Sequence, residues 1–352
     1  MSTKPLISLG VPVYNDARWL REALDHLVSQ DYPNLEIIIA DDGSTDGSLE
    51  ICREYARRDK HILLFENKHN LGGWGNHKFV FDVSKGDYFA WGSGHDYFET
   101  CYISRLMEKL DAHPNVVQCC PKSILSRDGK SYKPPGLLDT RGLKPTERIK
   151  NLIDFRLSGG SMDIFYGLYR SELLGRVKIG RDVVSADEIM LAELSFYGEL
   201  LQIDDVLIHK VNTRGKVNVR ENRESYRAHL DRNKISKGTL FKEYLPRLYS
   251  FVEYMVMIDS ASISMVEKEI LYKEISNEAS TFSKNIEEEL IYFIEHFIVE
   301  IPAQHKYPLV QQYEAASVLS VLDFALMQGF VSEELFRLRY VCLNALESNR
   351  KI

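Results

Sequence analysis

Leu35-Glu36-Ile37-Ile38-Ile39-Ala40-Asp41-Asp42-Gly43-Ser44-Thr45-Asp46 decides how this chain folds. Its first six residues are a β-branched run of the kind that forms a parallel strand buried on both faces. The run ends in two adjacent carboxylates and a Gly43-Ser44 turn, and Asp46 is positioned to cap a helix carrying Leu49, Cys52 and Tyr55. Upstream, Leu6–Val13 reads as a strand. Asn15 and Asp16 read as caps of a helix whose apolar positions Leu20, Ala23, Leu24, Leu27 and Val28 recur at helical spacing, and Pro33-Asn34 ends it. Downstream the alternation continues: strand Ile62–Phe65, helix Trp74–Val83, and strand Asp87–Trp91. A helix capped by Thr100 with Ile103, Leu106, Met107 and Leu110 follows, then strand Val116–Cys120. Repeated β-α units with short links predict an α/β, Rossmann-like, mostly parallel sheet with helices on both faces.

In such sheets ligands bind beyond the carboxyl ends of the strands. The polar residues stand there: Tyr14-Asn15-Asp16, Asp41–Asp46, Asn67–Asn76 and Ser93–Asp96. Beyond this repeat, residues 123–146 are Gly/Pro/Lys-rich and read as a loop. A helix is expected over Thr146–Leu157, a Gly159-Gly160 break and a short apolar segment Ile164–Tyr169 after it. A further helix is expected around Asp187–Tyr197 and a last strand over Val206–Val211.

With 352 residues, 44% hydrophobic and 27% charged, the chain is globular and long enough for two domains. Lys plus Arg is 44 against 51 for Asp plus Glu, a net charge of −7, which excludes a general nucleic-acid binder. No apolar run approaches the ~18 residues of a membrane span, and the N-terminus shows no signal-peptide core, so a cytoplasmic protein is expected. Cys52, Cys101, Cys119, Cys120 and Cys342 are scattered without a Cys-x-x-Cys pair and read as free thiols. Of the 21 glycines all but Gly329 lie at or before Gly238, which places the domain border there. Residues 1–238 form the α/β domain. Residues 239–352 form an all-helical domain with apolar stripes at Ile286, Leu290, Phe293, Ile294, Phe297 and at Leu319, Leu322, Leu326. Its expected roles are packing, homo-oligomerisation, docking of an acceptor or partner, or peripheral membrane association.

Two adjacent carboxylates at a strand end repel one another and are costly to bury unless each has a partner. One of them suits the ring N–H of a nucleobase. Asn70-Leu-Gly-Gly-Trp-Gly-Asn76 is a Gly-rich loop opening a helix, which suits phosphate, but it lacks the spacing of a dinucleotide fingerprint or a P-loop. Taken in order, Pro12-Val13-Tyr14-Asn15, Ala40–Asp46, Asn70-x-Gly72, Lys85-Gly86-Asp87-Tyr88, Gly167-Leu-Tyr-Arg170 and Ala186-Asp187-Glu188 resemble a family 2 glycosyltransferase of the GT-A fold, over roughly residues 5–215. That resemblance implies a nucleotide-sugar site at Pro12, Tyr14, Asn15, Asp41, Asp42, Asn70 and Gly72. It makes Asp187 the general base of an inverting transfer, with Glu188 beside it.

The sequence departs from the family after the fourth strand. Where the family carries a D-x-D that binds Mn²⁺ or Mg²⁺, this chain has Ser93-Gly94-His95-Asp96. His95 and Asp96 remain as candidate metal ligands, with Ser93 at the nucleotide sugar; imidazole shifts preference away from hard Mg²⁺. The family's Arg after the Gly loop is replaced by His77 or Lys78. Cationic compensation is available from His209, Arg214, Lys216 and Arg220, with Arg223 beyond, as a diphosphate clamp. The resemblance implies transfer of a sugar from a nucleotide diphosphate sugar, UDP-sugar favoured, to a glycan or lipid-linked glycan in surface polysaccharide, O-antigen or capsule synthesis. The alternatives are a protein or peptide glycosyltransferase and a degenerate nucleotide-sugar-binding scaffold.

Overall fold

The computed structural model describes residues 4–127, 130–132, 136–181, 183, 185–211 and 246–281. They divide between two compact units, one drawn from 1–181 with 190–234 and the other from 182–189 with 235–352. The first unit is built on a mixed, largely parallel sheet. Strands β1 (Ile7–Val13), β2 (Leu35–Asp41), β3 (Ile62–Glu66) and β4 (Tyr88–Trp91) pair in parallel in the order β3-β2-β1-β4. They alternate with helices α1 (Ala17–Val28), α2 (Ser48–Arg58) and α3 (Gly73–Asp82). β1 and β2 are buried on both faces and α1 buries Leu20, Ala23, Leu24 and Leu27, as the sequence predicts.

Beyond β4 the sheet becomes mixed. β5 (Tyr97–Phe98) is followed by α4 (Tyr102–Ala112), β6 (Val116–Arg127) and β7 (Lys130–Tyr132). Then come α5 (Pro145–Leu157), a 3₁₀ turn at Met162–Phe165, β8 (Leu168–Arg170), α6 (Ser171–Leu174), α7 (Ala186–Leu194) and β9 (Glu199–Lys210). β8 is antiparallel to both β4 and β6, β9 is parallel to β6, and β5 closes the edge antiparallel to β9. The second unit contains helices α8 (Pro246–Ser260) and α9 (Met265–Thr281), which pack on each other and bury Phe251, Tyr254, Met257 and Ile258 with Leu271 and Ile275.

Several expectations are corrected. The expected loop 123–146 begins as strand: β6 continues to Arg127 and turns back on β7, since Ile124 and Leu125 pair with His209 and Lys210 of β9. β9 starts at Glu199, seven residues before the expected Val206. The apolar segment Ile164–Tyr169 is split between the 3₁₀ turn and β8. Thr100 is not the cap of α4; Cys101 holds that position and no side chain caps the helix. Asp16 sits at the N-cap of α1 without capping it, and Asp46 bonds the Ala17 N–H instead, at 3.0 Å. Asp46 also accepts from the Ser48 N–H and hydroxyl, just ahead of α2. Burial would raise the Asp46 carboxyl, but these donors hold it below its ordinary value.

Among the described cysteines all four are free, and burial pushes the Cys52 and Cys119 thiols up to about 12. Among the described residues no helix is long and apolar enough to cross a membrane. Both apolar stripes expected beyond residue 285, the border at Gly238 and Cys342 lie outside the described residues.

Candidate functional site

Parallel register brings four strand ends to one edge. Val13 lies beside Asp41, Asp41 beside Glu66, and Gly10 beside Trp91. Strand order reverses between β1 and β4, since β2 and β3 lie to one side of β1 and β4 to the other. That is the switch point where open α/β sheets leave a ligand crevice.

Asp41 and Asp42 are both buried, at 1% and 2% exposure, and they divide the work. Asp42 is consumed by the fold. One carboxylate oxygen accepts from Asn67 Nδ2 at 2.9 Å and the Leu71 N–H at 2.7 Å, the other from the Gly72 N–H at 3.0 Å. Asn70 Oδ1 accepts a second bond from the Gly72 N–H. The Gly-rich loop therefore spends its Leu71 and Gly72 N–H groups on a carboxylate of the protein, where the sequence suggested a phosphate. Gly72 itself has φ 80, a backbone that a side chain would strain. Asp41 is different. Its Oδ2 accepts from the Gly43 and Ser44 N–H groups at 3.2 and 3.0 Å, while its buried Oδ1 has no hydrogen-bond partner among the described residues. An unpaired carboxylate oxygen is expensive to bury, so this atom awaits a donor.

The loops after β1 and β2 are stitched together. Asn15, at φ 55, donates its N–H to Ser44 Oγ and accepts the Thr45 N–H on Oδ1 at 2.8 Å. Asn tolerates this left-handed backbone better than most residues. Pro12 is half-buried in β1, and Tyr14 is 38% exposed at the edge. Across the switch point, Asp16 Oδ1 meets His95 Nδ1 at 3.1 Å. A Cβ on Gly94 would stand 2.6 Å from Asp16 Oδ2, so a side chain there would push the Asp16 carboxylate aside. Ser93, buried, uses its Oγ to accept the His95 and Asp96 N–H groups.

His95 and Asp96 were expected to share a cation, and here their side chains take different partners. Asp96 is fully buried with both oxygens engaged: Oδ2 accepts from Lys210 Nζ at 2.6 Å and Oδ1 from the Val211 N–H at 3.0 Å. Lys210 also lies 3.5 Å from Asp163 Oδ1 and 4.3 Å from the Tyr166 ring centroid. Burial would lower the Lys210 ammonium, yet Tyr166, Asp96 and Asp163 together hold it above its ordinary value. The Ser123 and Ser161 hydroxyls donate to Asp163 Oδ2. Among the described residues no group of three His, Cys, Asp or Glu side chains is arranged to hold a metal. A divalent ion needs open carboxylate oxygens, and at Asp96 an ammonium holds one and a backbone N–H the other; the residues do not fit a metal there. Sequence reasoning missed Asp163 and Lys210 here, and read Asp16 only as a cap. The available signal was strand register: Tyr97 opposite His209 places Asp96 opposite Lys210.

The remaining candidates are spread more widely. His77 Nδ1 donates to the Gly73 carbonyl at 2.7 Å, and its ring lies among Trp74, Trp91 and Phe165. Burial lowers its pKa, so it is a neutral ring and a poor stand-in for arginine. Lys78 is exposed and paired with Asp82 one turn on. His209 Nε2 lies 2.7 Å from Glu99 Oε1 at the surface. Asp187, half-buried, and Glu188, buried, occupy the first turn of α7, directly after Ser185 at φ 59. A non-glycine residue in that region is strained, and such strain gathers at functional segments. Arg214, Lys216 and Arg220 lie outside the described residues.

With the geometry in hand, known proteins can be compared. The sequence profile of glycosyl transferase family 2 matches residues 8–170. The uncharacterized glycosyltransferase EpsJ of Bacillus subtilis (strain 168) is 31% identical over 179 residues, 50% of this chain and 51% of that protein. Glycosyltransferase GlyA of Streptococcus pneumoniae serotype 4 is 36% identical over 104 residues, 30% of this chain and 15% of that one. The chain spans about half the length of the first of these curated relatives and less of the second. Among solved structures, S. aureus TarS 1-349 in complex with UDP-GlcNAc superposes with a TM-score of 0.61 at 15% identity, covering 98% of this chain and 92% of that one. The mannosyltransferase PcManGT from Pyrobaculum calidifontis, in complex with GDP-Man and Mn²⁺, gives 0.50 at 16% identity, with 97% and 85% covered. At these identities the likeness is one of fold, and the fold is GT-A.

Proposed function

We propose, from the match of residues 8–170 to the glycosyl transferase family 2 profile, that the chain moves a sugar, with inversion, from a UDP-sugar to an acceptor hydroxyl. The observation that carries this reading is the buried, unpartnered Oδ1 of Asp41. At the carboxyl end of β2, beside the switch point, it is placed to accept one N–H from a ligand. The N3–H of uracil supplies such a donor, and the half-exposed Tyr14 ring is positioned to flank a base. The TarS structure that shares the fold holds UDP-GlcNAc, which favours uridine over the guanosine held by PcManGT. Asn15, Ser44 and Thr45 keep the β1 and β2 loops at fixed separation, and Asp42 shapes the Gly72 loop that closes the base side.

In the transfer, the acceptor oxygen attacks the anomeric carbon from the face opposite the leaving group. Asp187, the residue that matches the family's base, takes the acceptor proton. The new carbon–oxygen bond forms as the bond from C1 to the phosphate oxygen breaks, and UDP leaves with that electron pair. The charge that develops lies on the diphosphate, where cationic side chains lower the barrier. Arg214, Lys216 and Arg220 are proposed for that role, and a glycan or lipid-linked glycan for the acceptor.

Calorimetric titration of UDP, dTDP and GDP tests the donor reading. UDP binds best to the wild-type chain, and Asp41→Asn weakens it about 10- to 100-fold, the worth of one hydrogen bond to a charged group. Equal UDP affinity in Asp41→Asn and the wild type would overturn the assignment.

A further inference from the structure

A carboxylate in the loop after β4 is where the family resemblance places a divalent cation, and this chain holds an ammonium there instead. We propose that Lys210 is a built-in cation that replaces the metal at Asp96, so that the chain binds its nucleotide and handles its anionic leaving group without a divalent ion. The role in transfer rests on the donor reading above, whereas the placement of the cation does not.

Four observations support the replacement. First, the backbone sets the position. β5 and β9 pair with Tyr97 opposite His209 and Phe98 opposite Ile208, so the next rung brings Asp96 and Lys210 face to face. A side chain on a strand end, fixed by register, is a positioned charge, unlike a lysine on a mobile surface loop. Second, both Asp96 oxygens already carry a donor, Lys210 Nζ on one and the Val211 N–H on the other. Third, the polar neighbours of Asp96 already have partners of their own. Ser93 Oγ accepts two backbone N–H groups and His95 faces Asp16. Fourth, the ammonium is held from several sides, with Asp163 Oδ1 at 3.5 Å and the Tyr166 ring at 4.3 Å.

An ammonium has three N–H donors, and among the described residues the close carboxylate hydrogen bond is the one to Asp96. The Asp163 contact at 3.5 Å is an ion pair without a close hydrogen bond. Lys210, 16% exposed at its side chain, thus keeps donor capacity for an anion while Asp96 and Asp163 hold it in place. Asp163 in turn is oriented by the hydroxyls of Ser123 and Ser161. This arrangement gives a preorganised point charge, the property that stabilises a developing anion with little rearrangement.

The test reads metal binding, apart from turnover. Mn²⁺ is titrated into the full-length chain and followed by the electron paramagnetic resonance of free Mn²⁺ and by thermal unfolding. UDP binding is measured by calorimetry in EDTA and again with Mn²⁺. The wild type is expected to show no stoichiometric Mn²⁺ site below the millimolar range, no change in Tm, and the same UDP affinity in both buffers. Lys210→Met uncovers Asp96 and Asp163, and is expected to gain Mn²⁺ affinity by about tenfold or more and to be stabilised by the ion. Lys210→Arg keeps the charge and stays indifferent to Mn²⁺.

The inference is overturned if wild-type protein binds one Mn²⁺ tightly and Asp96→Asn abolishes it. It is equally overturned if Mn²⁺ raises UDP affinity and Asp96→Asn removes that gain, or if folded Lys210→Met gains no Mn²⁺ affinity. Should Lys210→Met fail to fold, the wild-type and Asp96→Asn titrations decide alone. A wild-type chain that binds no UDP under any condition sinks the donor reading and leaves the Mn²⁺ result standing on its own.

Discussion

Replacing Asp42 by Asn turns one acceptor oxygen into an NH₂ group facing N–H donors from Asn67, Leu71 or Gly72. The cost is a lost charge-assisted bond and a donor–donor clash, about 1–3 kcal/mol. Asp42→Asn is therefore expected to lower the denaturant midpoint clearly. Asp41→Asn can keep its carbonyl on the Gly43 and Ser44 N–H groups and removes the charge of a buried, unpartnered oxygen, so it should cost less stability than Asp42→Asn, while UDP binding falls. Chemical denaturation of the two variants side by side separates the roles. That both carboxylates needed partners was legible from their adjacency. Which one is structural was not, because Asp42 is satisfied by a loop that returns from residues 67–72. Asp96 shows the same limit more sharply, since its partner is 114 residues away.

His77 makes a pH-dependent prediction. Burial lowers its pKa in the folded chain, so below about 6.5 the unfolded state takes up the proton first. Stability therefore falls as pH drops from about 6.5 toward the depressed folded value. His77→Gln, which retains a donor for the Gly73 carbonyl, is expected to flatten that limb in urea midpoints measured between neutrality and mild acid. An unchanged slope in the variant would assign the limb to other groups.

Helix α3 lies on β1 only because position 10 has no side chain. A Cβ on Gly10 would stand 2.7 Å from Phe89 Cζ and 2.8 Å from Val80 Cγ2, both fully buried. Gly10→Ala should destabilise the chain by about 1–3 kcal/mol through overpacking. Because α3 also carries the Gly72 loop at its N-terminus, UDP affinity should fall with it; thermal unfolding and calorimetry on one preparation check both. β1, α1 and β2 were legible because each has a full apolar period of its own. β6 beyond Cys120 and β9 before Val206 were not. Ser123–Arg127 alternates weakly and is strand because Ile124 and Leu125 find partners on β9. Cap positions were blurred for a related reason: Asp46 serves two helix starts from outside α2, leaving Asp16 to reach across to His95.

For the chain as a unit, ligand and solution conditions should act through one linkage. If UDP binds only the folded state, its presence at a hundred times its Kd adds about 2.7 kcal/mol, a rise of several degrees in Tm. Adding Mn²⁺ on top is expected to contribute nothing more at Asp96. The net charge of −7 hides this chemistry. A cation for the proposed diphosphate has to be local, and Lys210, paired with Asp96 at the sheet edge, is one that we propose. The order of strand-end motifs pointed to the family 2 resemblance and to the switch-point edge from sequence alone, since those motifs follow consecutive strands. The Asp96–Lys210 pair was not legible because it joins the loop after β4 to the last strand of the sheet.

Release of nucleoside diphosphate from a panel of UDP-, GDP- and dTDP-sugars, measured in EDTA with wild-type chain and with Asp187→Asn, weighs the whole account at once. The wild type should release UDP from a UDP-sugar in EDTA, and Asp187→Asn should lose that release by about 100-fold or more, as expected for removal of a general base. No release from any donor class, release that disappears with chelation and returns with Mn²⁺, or undiminished release by Asp187→Asn would contradict it.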